Sequence, residues 1–275
     1  MLTLMTFLSL TGLTAAADSP AKFRLKWEKN ILTISGNSIP GKELKIWYLE
    51  AYCRPGSTDR VWSKTTIGHT TRLISTSKDG QQLKLQCTLN DGVIVDHLIQ
   101  VVPEGVTFHL KAHNPTKTAS LAHWAQPCIR VGDFTGRSQK TYLPKSFLYI
   151  NNKLTRMPTP NWATKARYTP GQVWCPKHID RNDVNPRPLS PDVPSNGLIG
   201  CFSKDGKMIM ATAWEPYQEL FQGVIVCLHS DFRIGGLKPG ETKKIRGKIY
   251  LVKADPDALM KHYRKDFPEH FPRKK

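Results

Sequence analysis

Short stretches in which apolar and polar residues alternate, each followed by a turn signal, recur along most of this 275-residue chain. In one of them Val93, Val95, His97, Ile99 and Val101 occupy every second position, which is the side-chain period of a β-strand. Because many such strands follow one another with turns between them, the sequence predicts an all-β fold, a large antiparallel β-sandwich. His97 then lies on an apolar face and is predicted to be a core residue.

One helix is predicted, at the end of the chain. Asp255 is placed to cap it, and Pro256 suits the first helical position, where a missing amide hydrogen costs nothing. Apolar residues follow at helical spacing as far as about Phe267. We predict that this helix closes a single β-sandwich domain, residues 18–275.

Residues 155–197 interrupt the pattern of strands. This proline-rich segment carries Trp162, Tyr168 and Trp174 between its prolines. Long segments without regular structure inside a compact domain are usually functional lids or linkers, and the aromatic residues favour packing over a loose linker. We therefore predict that the segment caps one end of the sheet.

The chain is strongly basic, with 40 Lys and Arg against 22 Asp and Glu and a net charge of +18. Such a charge attracts anionic partners, and the partner predicted here is a carbohydrate, an acidic or sulfated glycan. The basic residues are spread out, with only Arg273-Lys274-Lys275 clustered, so nucleic-acid binding is not predicted. No later run approaches the roughly 20 apolar residues that span a bilayer, so no membrane association is predicted.

The first 17 residues resemble a secretory signal peptide. Residues 2–13 are apolar, and Ala15-Ala16-Ala17 provides a small-residue cleavage pattern before Asp18. The basic region that normally begins a signal peptide is missing. We expect export to the periplasm or the extracellular space, with removal of residues 1–17.

Six cysteines follow this segment: Cys53, Cys87, Cys128, Cys175, Cys201 and Cys227. An even number in an exported chain permits disulfides, and six cysteines allow 15 full pairings. Cys87 and Cys227 lie in apolar stretches where free thiols are common, so mostly reduced cysteines are predicted. Cys175 and His178 have metal-ligand spacing, but no other candidate completes a motif with them; neither a metal nor another cofactor is predicted.

The most polar short stretch is His123-Trp124-Ala125-Gln126-Pro127-Cys128-Ile129-Arg130. If it is extended, Trp124, Gln126, Cys128 and Arg130 share one face and His123 lies on the other. An indole beside an amide suits a hydroxyl-rich ligand, and a guanidinium favours an anionic one. The alternative, which the sequence leaves open, is an ordinary strand whose tryptophan belongs to the core.

Two stretches resemble the galactose mutarotase family and the wider β-supersandwich group. They contain Asn114-Pro115-Thr116 followed by His123, and Trp214-Glu215-Pro216 followed by His229-Ser230-Asp231-Phe232 and Pro239-Gly240-Glu241. The resemblance implies a sugar bound on a concave sheet, with a histidine as general acid and a late glutamate as general base. His123 matches the first active-site histidine, but residues 229–237 hold no glutamate where the base is expected.

These arguments predict His123 and Glu215 as catalytic residues. The residues predicted to bind substrate are Trp124, Gln126, Arg130, Trp214, His69 and His113. Two functions remain open: a carbohydrate-active enzyme (an epimerase, lyase or hydrolase) and a non-catalytic glycan-binding protein. Convergence of His123 with Glu215, Glu50 or His69 in one concave pocket would favour the enzyme.

Overall fold

The computed structural model describes residues 22–136 and 138–271. The predicted signal peptide, residues 1–17, its cleavage site before Asp18, and the basic cluster Arg273-Lys274-Lys275 lie outside the described residues.

Two antiparallel sheets form the described part of the chain. The first sheet contains β1 (Arg24–Glu28), β2 (Ile31–Ser35), β3 (Glu43–Cys53), β4 (Thr66–Ile67), β9 (Trp124–Arg130), β12 (Gln172–Trp174), β15 (Tyr217–Gln222) and β16 (Cys227–Arg233). The second contains β5 (His69–Thr76), β6 (Gln82–Leu89), β7 (Ile94–Val102), β8 (Gly105–His113), β10 (Ser146–Ile150), β11 (Lys153–Arg156), β13 (Pro194–Phe202), β14 (Met208–Glu215) and β17 (Thr242–Lys253).

The order of the strands shows how distant parts of the sequence meet. The first sheet runs β1-β2-β3-β9-β16-β15-β12, with β4 paired to the end of β3. The second runs β11-β10-β13-β14-β17-β8-β7-β6-β5. The predicted antiparallel sandwich is therefore confirmed. Strands β3, β9 and β16 are neighbours although more than 170 residues separate the first from the last.

The main core lies between the two sheets, where their apolar faces meet. The ring centroids of Tyr48 on β3 and Phe108 on β8 lie 5.6 Å apart, and those of Phe232 on β16 and Trp214 on β14 lie 4.8 Å apart. Each large side chain buried in this way stabilises the fold by roughly 1.5–3 kcal/mol. His97 is buried in the same core, as the alternation in β7 predicts.

The helices are short except for the last one. They are α1 (Trp62–Thr65), α2 (Gly132–Thr135), α3 (Gln139–Tyr142) and α4 (Pro256–Asp266). The Asp255 side chain accepts hydrogen bonds from the amides of Asp257 and Ala258, which confirms the predicted cap. Leu259 and Tyr263 bury the inner face of α4 against the outer face of the second sheet. No helix among residues 22–136 and 138–271 has the length and apolar character needed to cross a bilayer.

The proline-rich segment, residues 155–197, lies against the outer face of the first sheet and includes β12. Its Tyr168 hydroxyl accepts a hydrogen bond from the amide of Trp62 at 3.2 Å. The amide of Asn185 donates to a carboxylate oxygen of Glu219 on β15 at 3.0 Å. The segment thus covers the sheet surface on which the candidate site lies.

Candidate functional site

Polar side chains gather on the outer face of β9 and β16, under the proline-rich segment. Alternation in β9 turns Ala125 and Ile129 into the core between the sheets, so Gln126 and Cys128 point outward, as predicted. All six cysteines are free thiols and buried. On β16 the same alternation places Cys227, His229 and Asp231 outward, because Leu228 and Phe232 face the core. The outer face of these strands therefore carries thiols, an amide, an imidazole and a carboxyl group.

Glu50 joins this face through an irregularity in β3. The pairing of β3 with β9 shifts in register between Trp47 and Ala51, and such bulges re-aim side chains. Burial raises the pKa of Glu50, although the nearby His229 opposes that shift. The thiol of Cys128 also opposes the shift in the pKa of Glu50.

A cavity of about 210 Å³ separates this face from the proline-rich segment. Aromatic rings in its wall come from Trp62, Tyr168 and Phe221. Polar groups come from Glu50, Gln126, Asn185, Arg187 and His229. Arg187 is held by a hydrogen bond from Nη1 to the carbonyl of Pro170 at 3.0 Å. Apolar walls with a few converging polar groups are typical of small-molecule sites.

Gln126 lines this cavity and carries an acceptor that no other described group uses. The residue is 3% exposed, and its Oε1 has no hydrogen-bond partner among the described residues. A buried acceptor without a partner costs about 1–3 kcal/mol. A ligand that donates a hydrogen bond to Oε1 would recover this energy.

Buried ionisable groups continue beneath the cavity. Nδ1 of His229 lies 3.6 Å from Oδ1 of Asp231. Burial raises the pKa of Asp231 to about 6, and burial together with repulsion from Asp231 raises the pKa of Glu219 well above its usual range. Burial disfavours the charged form of His229, but Cys227 and Asp231 outweigh it and raise the pKa of His229. The cluster concentrates acidic groups around one imidazole.

Three predicted substrate-binding residues lie on β9, and they differ in exposure. Gln126 lines the cavity. Arg130 is exposed, with its guanidinium carbon 5.7 Å from the ring centroid of Trp47. Trp124 is fully buried, and its Nε1 donates to the hydroxyl of Ser57 at 3.3 Å. Its indole thus packs within the protein and presents no surface to a ligand in this structure.

His123 lies beside the cavity cluster rather than in the cavity wall. Its Nδ1 lies 3.6 Å from Oδ2 of Asp183, which also lies 3.4 Å from Nη1 of Arg233. Oδ1 of Asp183 accepts a hydrogen bond from the amide of Gly56 at 3.0 Å. His123 therefore belongs to a network that connects the proline-rich segment to β16.

Trp214 and Glu215 lie on β14 of the second sheet, whereas Trp124 and Gln126 lie on β9 of the first. Trp214 is buried between the sheets. Glu215, at the end of β14, accepts a hydrogen bond from Nε2 of His270 at 2.8 Å. His123, which lies just before β9, contacts Asp183, whereas Glu215 bonds His270, so no contact joins the two predicted catalytic residues.

The two remaining predicted residues, His69 and His113, also lie on the second sheet. His69 packs edge-on against Tyr52, with ring centroids 5.0 Å apart, and burial lowers its pKa. Nδ1 of His113 lies 2.9 Å from the hydroxyl of Thr242 on β17. Neither residue lines the cavity of the candidate site.

A larger depression, of about 740 Å³, lies on the outer face of the second sheet. Exposed Lys84, Lys111 and Lys244 line it, but so do Asp96, Glu215 and Glu269. Glu269 neutralises Arg246 in the same depression through a 2.7 Å ion pair. The mixed charges give this surface no preference for an anion, and the smaller cavity remains the candidate site.

From the sequence, Glu50 was considered only as a possible partner of His123, and Asn185, Arg187 and His229 were not predicted as site residues. Cys227 was placed only in an apolar stretch, whereas β16 runs from Cys227 to Arg233. The alternation of Cys227, His229 and Asp231 with apolar residues was a usable signal for this strand. Asn185 and Arg187 carry no local signal, because they lie in the irregular proline-rich segment.

No family model matches the chain, and no curated protein matches it. Similar solved structures include a galactose mutarotase-like protein from Lactobacillus casei, with 8% identity, a TM-score of 0.46 and coverage of 83% of this chain and 99% of the other. The chain is similar to mutarotase-like proteins. The Slr1438 protein from Synechocystis sp. PCC 6803 shows 10% identity, a TM-score of 0.46 and coverage of 88% and 99%. A putative aldose 1-epimerase from Escherichia coli shows 11% identity, a TM-score of 0.42 and coverage of 84% and 99%.

Proposed function

We propose that this chain binds a carbohydrate in the cavity between the first sheet and the proline-rich segment. The observation that carries the proposal is Gln126, a residue of the cavity wall whose buried Oε1 has no hydrogen-bond partner among the described residues. A sugar hydroxyl donates the hydrogen bond that this oxygen lacks. Glu50 and Asn185 add further polar groups for neighbouring hydroxyls, and the rings of Trp62 and Tyr168 suit the apolar face of a sugar.

The size of the cavity limits the ligand to one sugar ring. Its volume of about 210 Å³ is below the roughly 300–1,000 Å³ of sites for drug-sized ligands. A monosaccharide, or one terminal unit of a longer glycan, is therefore the expected occupant.

The sugar is proposed to be anionic, a uronic acid or a sulfated unit. Arg187 brings a guanidinium into the wall, and such a group binds carboxylate or sulfate oxygens through paired hydrogen bonds. The net charge of +18 attracts the same class of ligand to the surface.

A catalytic role is the second candidate function. Glu50 favours it, because its carboxyl group lies in the wall of the same cavity and would touch a bound sugar directly. Formation of a product from a bound sugar, together with its loss in Glu50→Gln, would distinguish an enzyme from a binding protein.

Gln126→Leu tests the binding proposal, because it removes the acceptor but keeps the approximate shape of the side chain. Loss of one neutral hydrogen bond weakens binding by roughly two- to tenfold. The stability of the free protein should not fall, because Oε1 has no partner to lose. A glycan array first identifies the sugar, and isothermal titration then compares wild type with the variant.

Gln86→Leu is the matched control. Gln86 lies on the second sheet, where it bonds Arg72 and Asp96, so sugar affinity should stay at the wild-type value. Equal affinity in wild type and Gln126→Leu, or the absence of any bound sugar on the array, would contradict the proposed function.

A further inference from the structure

Cys128, Cys227 and His229 form a compact group on the adjacent strands β9 and β16. Cys227 pairs with Arg130 and Leu228 with Ile129, and this register places His229 opposite Cys128. The ligand atoms of the three side chains lie within 4.8 Å of one another. Nε2 of His229 is 3.2 Å from Sγ of Cys227. All three residues are buried.

We propose that Cys128, Cys227 and His229 bind a zinc ion. Two sulfurs and an imidazole nitrogen are ligands that zinc prefers. With Zn–S bonds of about 2.3 Å and Zn–N bonds of about 2.0–2.1 Å, tetrahedral ligand atoms lie about 3.5–3.8 Å apart. The 3.2 Å between Nε2 of His229 and Sγ of Cys227 is slightly shorter than this range, and no ligand atom lies farther than 4.8 Å from another, so small side-chain movements suffice to assemble the site.

The surroundings of Nδ1, the second ring nitrogen of His229, give independent support for a metal site. Histidines that bind metals usually direct their other ring nitrogen to a carboxylate, and Nδ1 of His229 faces Oδ1 of Asp231 at 3.6 Å. Nδ1 of His229 and both carboxylate oxygens of Asp231 are buried without hydrogen-bond partners in the described part of the chain. A metal on Nε2 makes Nδ1 a hydrogen-bond donor and gives Asp231 a partner.

The fourth ligand position faces the cavity. Cys227 and His229 both line it, together with Glu50. Sites with three protein ligands and one open position are typical of catalytic zinc. Water, or a hydroxyl of a bound ligand, would complete the tetrahedron here. The inference goes beyond carbohydrate binding and does not depend on it.

Zinc binding can be measured directly on the untagged, reduced protein. Titration of zinc in competition with a chromophoric chelator should give one equivalent per chain. Cobalt in its place should show the charge-transfer absorption of thiolate ligands. Asp231→Asn should weaken zinc binding about 10- to 100-fold, as loss of a supporting carboxylate does elsewhere. Cys227→Ser and His229→Gln should weaken it further.

Cys201→Ser and Cys87→Ser are the matched controls, because both cysteines are buried outside the group and should leave the zinc stoichiometry at one. Circular dichroism verifies that each variant folds. Two results would overturn the inference: reduced wild type that binds no zinc, or equal zinc affinity in wild type and the Cys128→Ser/Cys227→Ser double variant. A simple thiol–imidazole pair gives the first result. Sugar binding that fails while zinc still binds would contradict the proposed function alone.

Discussion

Nδ1 of His97 lies 2.8 Å from the hydroxyl oxygen of Tyr48 in the core between the two sheets. The hydroxyl of Tyr52 lies 3.4 Å from Nε2 on the other side of the ring. Burial lowers the pKa of His97 to about 3, and the nearby His69 adds to the effect. The ring is thus held neutral at pH values where an exposed histidine becomes charged.

The first prediction is a loss of stability in mild acid that depends on His97. An unfolded chain protonates this residue near pH 6.5, while the folded protein resists protonation to about pH 3. Between these values the unfolded state binds more protons, so stability falls as the pH falls, by up to about 1.4 kcal/mol per pH unit from this group. Urea unfolding from pH 7 to pH 4 should show a shallower decline in His97→Gln. Exposed His109→Gln is the control and should follow wild type; an identical decline in all three proteins would refute the prediction.

The second prediction concerns Trp124, which the structure places in the interior. Trp124→Ala should lower the free energy of unfolding by about 3–5 kcal/mol, because it leaves a large cavity. Trp47→Ala, on the neighbouring strand and only partly buried, should cost less. Chemical denaturation measures both losses. A stable Trp124→Ala that has lost only ligand affinity would instead support the ligand-facing indole considered from the sequence.

The third prediction tests the cap of α4. Asp255→Ala removes the acceptor for the amides of Asp257 and Ala258 and should cost about 1 kcal/mol. Asp257→Ala loses only a charge in the first turn, so its expected cost is about 0.3–1 kcal/mol. Thermal unfolding of the two variants compares these losses, and a larger loss for Asp257→Ala would argue against the cap.

The fourth prediction is that the chain is exported. This prediction is based only on the sequence of residues 1–17. If Ala15-Ala16-Ala17 precedes the cleavage site, the protein recovered outside the cytoplasm should begin at Asp18. Intact-mass measurement of the native protein checks this. A recovered protein that keeps residues 1–17 would contradict both cleavage and the expected location.

Local sequence patterns predicted the strands and the helix because these elements are specified by residues that are close in sequence. Alternation identified β7 and the outward face of β9, and the Asp255-Pro256 pair identified the start of α4. Alternation shows which residues of a strand share a face, but it does not show which face points into the core when both faces are buried. All of β14 except its two end residues, Met208 and Glu215, is buried, so its alternation did not show that Trp214 faces the core between the sheets.

The site was less predictable because its parts come from distant strands. Gln126 was predicted as a site residue from the polar residues beside it in the sequence. The strands that pair with β9 are β3 and β16, and no local sequence signal specifies this strand order. Glu50 reaches the cavity through a register shift. Arg187 depends on how the irregular segment packs. These relationships arise from long-range pairing and packing rather than from residue spacing.

The most direct test of the account compares Arg187→Ala with Arg130→Ala in titrations with glucuronate and glucose. Arg187 lines the cavity, so its loss should weaken glucuronate binding about ten- to hundredfold, the effect of losing one charge-assisted hydrogen bond of roughly 1.5–3 kcal/mol. Arg130 is exposed outside that wall, so its loss should have a smaller effect that disappears at high salt. Unchanged glucuronate affinity in Arg187→Ala, or tighter binding of glucose than of glucuronate by wild type, would contradict an anionic sugar in this cavity.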